Sequence, residues 1–393
     1  TGTYSYKGRY TLNGTVRYEG SNKLGKSRKA RWLPTWNVSA AWNAHEEEFW
    51  QSFRDVVSNM TLKASYSLTA DRGPASVSNS KAIINSYNTW RPFTSMKESG
   101  LILSSVENSE LTYEKKHELN IGAEIGFIDN RINIEADWYT RNNFDLIGLI
   151  YTKGTGGQLA KFANVASMKS SGVEFTVSTR NIKTKDFSWN TDFIFSHTKN
   201  EVTDLQSNAS VMDMISGNGF AMEGYPVRAL FSMDFQGLNE NGYPTFINEK
   251  GQLTVSDINF QEQLKKDHLV YEGPTDPTMT GSLGNIFRYK GFTLNAFITY
   301  SFGNVIRLDP VFHNVYSDLD AMPREFINRW TTGGDEKVTN VPVIADKRAN
   351  QQDPYLSYAY NAYNYSTERI AKGDFIRMKE LSLSYNFPKK MIS

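Results

Sequence analysis

The chain has 393 residues, a net charge of +1 and no cysteine. Near-neutral charge excludes a strong electrostatic preference for nucleic acid or acidic lipid, and the lack of thiols removes disulfides, thiolate metal sites and cysteine nucleophiles together. No run of about 18 apolar residues occurs, so a transmembrane helix is excluded, although hydropathy averages are blind to membrane-crossing strands, which are half polar.

Taken in chain order, the text is strand-like from its first residues, TGTYSYKGRYTL, with no initiating methionine or signal peptide; the expectation is a piece of a longer chain. Strict alternation then recurs. Tyr10, Leu12, Gly14, Val16 and Tyr18 share one face, as do Trp36, Val38, Ala40 and Trp42. The stretch AHEEEFWQSFRDVV (44–57) instead predicts a short amphipathic helix on the short-turn side, with Phe49, Trp50, Phe53, Val56 and Val57 together. Alternation resumes with Leu62, Ala64, Tyr66 and Leu68, then with Leu119, Ile121, Ala123, Ile125 and Phe127. In RINIEADWYTR (131–141), Ile132, Ile134, Ala136 and Trp138 alternate with Asn133, Glu135, Asp137 and Tyr139. Further segments carry Val173, Phe175 and Val177; Phe187, Trp189, Thr191, Phe193 and Phe195; and Phe292, Leu294, Ala296, Ile298 and Tyr300. MPREFINRW (322–330) predicts a second short helix, inside a long loop, and the last strand carries Leu381, Leu383, Tyr385 and Phe387. Roughly ten segments of about 8–12 residues result, the length a tilted strand needs to cross a bilayer.

The connections alternate in length. Residues 128–130, 182–186 and 289–291 make hairpin-scale turns rich in Asn, Asp, Lys and Gly, whereas 70–115, 142–170, 200–280 and 302–372 are long. Short turns on one rim and long loops on the other describe an outer-membrane barrel. A soluble β-sandwich also alternates, but its strands are shorter, about five to six residues. The aromatic content is 13%, and Tyr10, Tyr18, Trp36, Trp42, Tyr300 and Tyr385 stand toward segment ends, as an interfacial girdle would. The other face carries Arg17, Lys63, Glu124, Glu135, Asp137, Glu174 and Asp192 and therefore requires a hydrated or plugged interior. The alternative is a soluble, secreted β-rich carbohydrate-binding or structural protein.

Candidate chemistry is sparse. The five histidines (45, 117, 197, 268 and 313) are scattered, with no metal-binding spacing. KGTGGQ (153–158) lacks the Gly-Lys-Ser/Thr ending of a phosphate loop. A glycosidase would need a positioned pair of carboxylates, which nothing in the text favours. No catalytic residue, cofactor or metal is expected. The best binding candidate is DPYLSYAYNAYNYS (353–366), a loop holding Tyr355, Tyr358, Tyr360, Tyr363 and Tyr365. Tyrosine offers flat apolar area with a polar tip at low entropic cost, suited to sugar rings or a partner protein. SYNTWRPF (86–93), with Tyr87 and Trp90, is a second such loop; in either, the rings alternatively pack the loop onto itself.

Several blocks carry a family likeness. YEKKHELNIGAEIGFIDNRINIEADWYTRNNFDLI (113–147) resembles a hallmark block of the SusC/RagA-type TonB-dependent outer-membrane transporters. NVASMKSSGVEFTVSTRNIKTKDFSWNTDFIFSHTKNEVTDL (164–205) is similar to the next hairpin of that family, with Ser171 where Asn is common. DPTMTGSLGNIFRYKGFTLNAFITYSFGN (276–304) and GDFIRMKELSLSYNFPKK (373–390) resemble two later ones, in the expected order.

The resemblance implies an all-β fold: part of an antiparallel transmembrane barrel of roughly 22 strands, with long extracellular loops. Residues 1–393 would be its C-terminal portion, with the signal, plug and final hairpin outside the sequence. It implies import of an oligosaccharide or oligopeptide, driven by TonB through the plug, with a SusD-like surface lipoprotein as partner. The remaining barrel and plug segments and outer-membrane lipid would be its other neighbours; nucleic acid would not. Glu124, Asn133, Glu135, Asp137, Glu174 and Asp192 would face the lumen or plug, making plug or hydration contacts rather than substrate contacts.

Overall fold

The computed structural model describes residues 1–73, 81–89, 98–151, 160–206, 209–217, 219–312 and 323–387. It divides into two compact units: Thr1–Ser207 with Met279–Tyr300 and Ile376–Ser393, and Asn208–Thr278 with Ser301–Phe375.

The first unit is built on β1 (Gly2–Tyr6), β2 (Tyr10–Gly20), the single helical turn α1 (Arg28–Arg31), β3 (Trp32–Asn43), β4 (Val57–Asp71), the hairpin β5 (Ile83–Thr89) and β6 (Glu98–Ser105), β7 (Glu114–Phe127), β8 (Ile132–Tyr151), β9 (Ala160–Lys183) and β10 (Phe187–Leu205). The second contributes α2 (Val211–Ile215), β11 (Ala229–Met233), β12 (Phe235–Leu238), β13 (Pro244–Ile247), β14 (Leu253–Thr254) and β15 (Leu269–Pro274). The chain continues through β16 (Met279–Tyr289), β17 (Phe292–Phe302), β18 (Val305–Arg307), α3 (Lys347–Gln352), α4 (Leu356–Asn364), β19 (Ile370–Lys372) and β20 (Phe375–Tyr385).

Eleven strands make one sheet in the order β1-β2-β3-β4-β7-β8-β9-β10-β16-β17-β20. Chain neighbours are sheet neighbours, apart from the excursions between β4 and β7, β10 and β16, and β17 and β20. All the registered pairs of this sheet are antiparallel. Each alternating segment lies on one of these strands. Two turns have consecutive left-handed residues, Lys7-Gly8 (φ 51 and 71°) in the three-residue β1–β2 loop and Lys290-Gly291 (φ 43 and 95°) in the two-residue β16–β17 loop, matching the twist of the strands they join. The β7–β8 turn has three such residues in succession: Ile128, Asp129 and Asn130 at φ 50, 53 and 57°. Asp and Asn tolerate this; a branched Ile is strained there by about 1–2 kcal/mol.

Register makes the faces continuous across strands. Trp42 pairs Leu62, Leu62 pairs Ala123, Ala123 pairs Ala136 and Ala136 pairs Phe175, all apolar. This face is bare: Val16 is 74% exposed, Leu381 66% and Leu383 69%. An apolar surface of this extent is far beyond what water-soluble monomers tolerate. Lipid is the solvent that suits it, and strands satisfy their backbone there only through neighbours.

Three segments depart from the sequence expectation. Residues 44–57 form no α-helix but two 3₁₀ turns, Ala44–Glu46 and Glu48–Ser52, separated by Glu47 in an extended conformation. In the second expected helix, residues 323–330 likewise hold only a 3₁₀ turn, Arg324–Asn328, with Phe326 buried, and Met322 lies outside the described residues. The long connection expected at 142–170 shortens to 152–159, because β8 and β9 pair from Ile132↔Thr179 to Tyr151↔Ala160. Strands of 20 and 24 residues exceed the ~30 Å hydrocarbon thickness about twofold. Asn164 locks this extension: its amide donates to Thr112 O (3.0 Å) and Asp145 O (2.6 Å), while Oδ1 accepts from Thr112 N (2.9 Å).

The second unit has a core of its own, with Val211, Ile215, Met233, Phe246, Val311, Phe312 and Tyr363 among its buried residues. Long connections thus fold as a packed body rather than as bare loops.

Candidate functional site

The polar face of the sheet carries the predicted lumen residues. Two adjacent rows cross β4, β7, β8 and β9: Lys63↔Gly122↔Asp137↔Glu174 and Thr61↔Glu124↔Glu135↔Thr176. Four carboxylates therefore stand as two directly opposed pairs, Glu124 with Glu135 and Asp137 with Glu174. Like charges directly opposed across strands disfavour the pairing. Lys63 offsets part of this by an ion pair with Glu124. Asp137 lies over Gly122, where a Cβ would collide with its Oδ1. Asp192 is apart from this group, on β10, accepting from Ser178 Oγ (2.7 Å). Asn133 is engaged at the turn, donating to Asn130 O (2.9 Å).

Farther along the same strands, an arrangement that alternation alone did not reveal is built around Tyr139. Its ring lies across Gly172, its hydroxyl is 2.8 Å from Thr198 Oγ1, and the Arg141 guanidinium stands 4.0 Å over the ring centroid. Arg141 also donates to Glu118 (3.2 Å), which is paired with Lys116 at 2.7 Å. Only the register that sets Tyr139 opposite Gly172 exposes this relation.

The tyrosine-rich segment is helical, and the helix divides its rings. Tyr363 is 3% exposed and sits against Phe235 and Phe312, where burial holds its phenol well above the ordinary pKa. Tyr360 donates to Val343 O (2.5 Å) and packs on Phe312. Tyr365 is packed against the core and takes the Arg307 guanidinium over its ring at 5.6 Å. Arg307 in turn donates to Phe231 O (2.6 Å) and Ser232 Oγ (3.2 Å); burial lowers its pKa to about 10. Only Tyr355 and Tyr358 are offered to solvent, at 61% and 44%, their ring centroids 5.8 Å apart. The rings therefore do not form a single platform: three serve the packing of their own unit, because Asn364 at the helix end anchors the segment by accepting from Val311 N and Phe312 N (2.9 and 3.0 Å). Tyr87 belongs to β5, opposite Gly100, and is half exposed; Trp90 lies outside the described residues.

A family model described as "TonB dependent receptor-like, beta-barrel" matches residues 1–319. TonB-dependent receptor P3 of Formosa agariphila is 23% identical over 403 residues, covering 99% of this chain and 38% of its own length. TonB-dependent receptor SusC of Bacteroides thetaiotaomicron is 25% identical over 349 residues, covering 81% of this chain and 33% of its own. The chain thus spans well under half the length of the curated relatives it matches. In fold, it matches the structure of the RagAB peptide transporter at a TM-score of 0.77 and 21% identity, over 99% of this chain and 41% of that one. The RagAB peptide importer in its "closed-closed" state gives 0.78 and 21%, over 100% and 41%. Eleven antiparallel strands with one lipid-suited face, and a family match over most of the sequence, lead to one conclusion: this chain belongs to the TonB-dependent receptor β-barrel family of the bacterial outer membrane.

Proposed function

We propose that the chain forms wall and extracellular loops of a TonB-driven importer of oligosaccharides or oligopeptides, working with a SusD-like surface lipoprotein. The family match over residues 1–319 carries this reading. The apolar face then meets lipid, and Glu124, Glu135, Asp137, Glu174 and Asp192 border the lumen or its plug. The chain's part is structural and electrostatic rather than covalent. Its second unit, with Tyr355 and Tyr358 exposed, supplies contact surface for the lipoprotein or the substrate.

The full-length protein, extracted in detergent, should co-purify with a lipoprotein. A deletion strain should lose growth on a specific glycan or peptide source within a panel. A protein that is stable and monodisperse without detergent would overturn the reading.

A further inference from the structure

We propose that the connection between β3 and β4 is a membrane-seated foot, inserting Phe49, Phe53 and Val56, together with Ile128 of the next turn, into the lipid interface at the short-turn rim. The proposal rests on the reading that the apolar face of the sheet meets lipid.

The connection is fastened to that apolar face. Glu47 Oε1 accepts from the Tyr10 hydroxyl (2.6 Å) and from Trp42 Nε1 (3.2 Å), and Oε2 accepts from Arg9 (3.0 Å). Tyr10 and Trp42 are cross-strand partners on the apolar face, their rings parallel at 6.5 Å. An apolar ring body with its polar tip held by charged groups is the arrangement expected where hydrocarbon gives way to water. Trp50 then holds the second 3₁₀ turn in place, donating from Nε1 to Val57 O (2.9 Å).

This anchoring leaves three apolar side chains more than half exposed, with Phe49 and Phe53 resting against Trp50 by one edge only (ring centroids 6.1 and 6.2 Å). Phe49 and Phe53 are each 56% exposed and Val56 is 62% exposed. Ile128 joins them: its N–H donates to Val56 O (3.0 Å), and its side chain is 52% exposed. Ile128 is also the branched residue at φ 50°, where Asn or Gly would sit without strain. An outlier kept at a solvent-facing turn points to what its side chain touches. The patch continues the lipid-suited band, because Val57 pairs Phe127 and Phe127 pairs Ile132 on the same face. Glu48, Arg54 and Asp55 are exposed around it, giving the segment the mixed character of an interfacial element. That continuity selects lipid over a protein as the occupant.

The test uses the full-length transporter in phospholipid nanodiscs. Single spin labels are placed by Phe53→Cys and Ile128→Cys, with Ile121→Cys, Glu135→Cys and Glu48→Cys as references for the apolar face, the polar face and water. Collision with oxygen and with a water-soluble nickel chelate is read for each. The oxygen-to-nickel ratio at Phe53 and Ile128 should exceed that at Glu48 several-fold and approach that at Ile121. Should Ile121 itself behave like Glu135, the facing of the sheet is wrong. Should Ile121 report lipid while Phe53 and Ile128 match Glu48, or are shielded from both reagents by protein, the foot alone is overturned. Val56→Cys replaces Ile128→Cys if the strained turn does not accept the change.

Discussion

Tyr139 lies across Gly172 from the adjacent strand, so closely that a Cβ on the glycine would stand 2.5 Å from the phenol oxygen. The glycine is therefore a seat for the ring, and the ring covers backbone that a bare glycine would leave open. Gly172→Ala should destabilise the sheet by about 1–3 kcal/mol, through overpacking. The His197 carbonyl is 2.6 Å from the same Cβ position, so Tyr139→Ala should relieve only part of that loss. A double-mutant cycle, read by urea titration of the heat-modifiable folded band, measures the coupling. Additive losses would mean that the ring and the glycine do not act together.

Ile134 and Glu135 are neighbours on β8 with opposite facings. On the proposed orientation, Ile134→Arg places a charge in hydrocarbon and should cost insertion about 2–4 kcal/mol near the midplane. Glu135→Gln should leave folding almost unchanged, and it removes one of two directly opposed carboxylates. Assembly into the outer membrane, followed by surface protease protection, checks both. Equal behaviour of the two variants would reverse the orientation argued here.

The strands were legible because a half-polar period of two is a strong signal wherever one face meets lipid. Ile132 to Tyr139 could be assigned residue by residue on that basis alone. The departures have distant causes. The helix expected at 44–57 is interrupted at Glu47, which is recruited by Tyr10 and Arg9, 37 and 38 residues away. The extension of β8 and β9 depends on Asn164 reaching Thr112, 52 residues back. Neither partner can be read from local periodicity. The division of the tyrosine segment has the same kind of cause: Asn364 and the core around Phe312 dictate which rings turn inward.

That division of rings is itself testable. Tyr363→Ala removes a core ring and should destabilise the second unit by about 3–5 kcal/mol. Tyr355→Ala and Tyr358→Ala should each stay within about 0.5 kcal/mol, being exposed. If the second unit provides contact surface, the exposed pair should instead weaken lipoprotein capture or substrate uptake while leaving proteolytic resistance intact. Pulse proteolysis alongside uptake separates the effects; an unaltered uptake in the double variant would remove these two tyrosines from the site.

His268 provides a pH signature for the second unit. Burial lowers its pKa below the ordinary histidine value, and Glu249, Glu262 and Asp267 offset only part of that. Its Nδ1 is buried without a hydrogen-bond partner among the described residues. A folded-state pKa below the unfolded one means that the unfolded chain binds the proton more readily. Stability is therefore intact above the unfolded value of about 6.5 and declines as pH falls from there toward the folded value. His268→Gln should flatten that decline, since an amide does not titrate, while stability at pH 8 changes by no more than its altered packing. Proteolytic susceptibility of residues 208–278 measured from pH 8 to pH 5 gives the two curves. Parallel curves would assign the acid sensitivity to other groups.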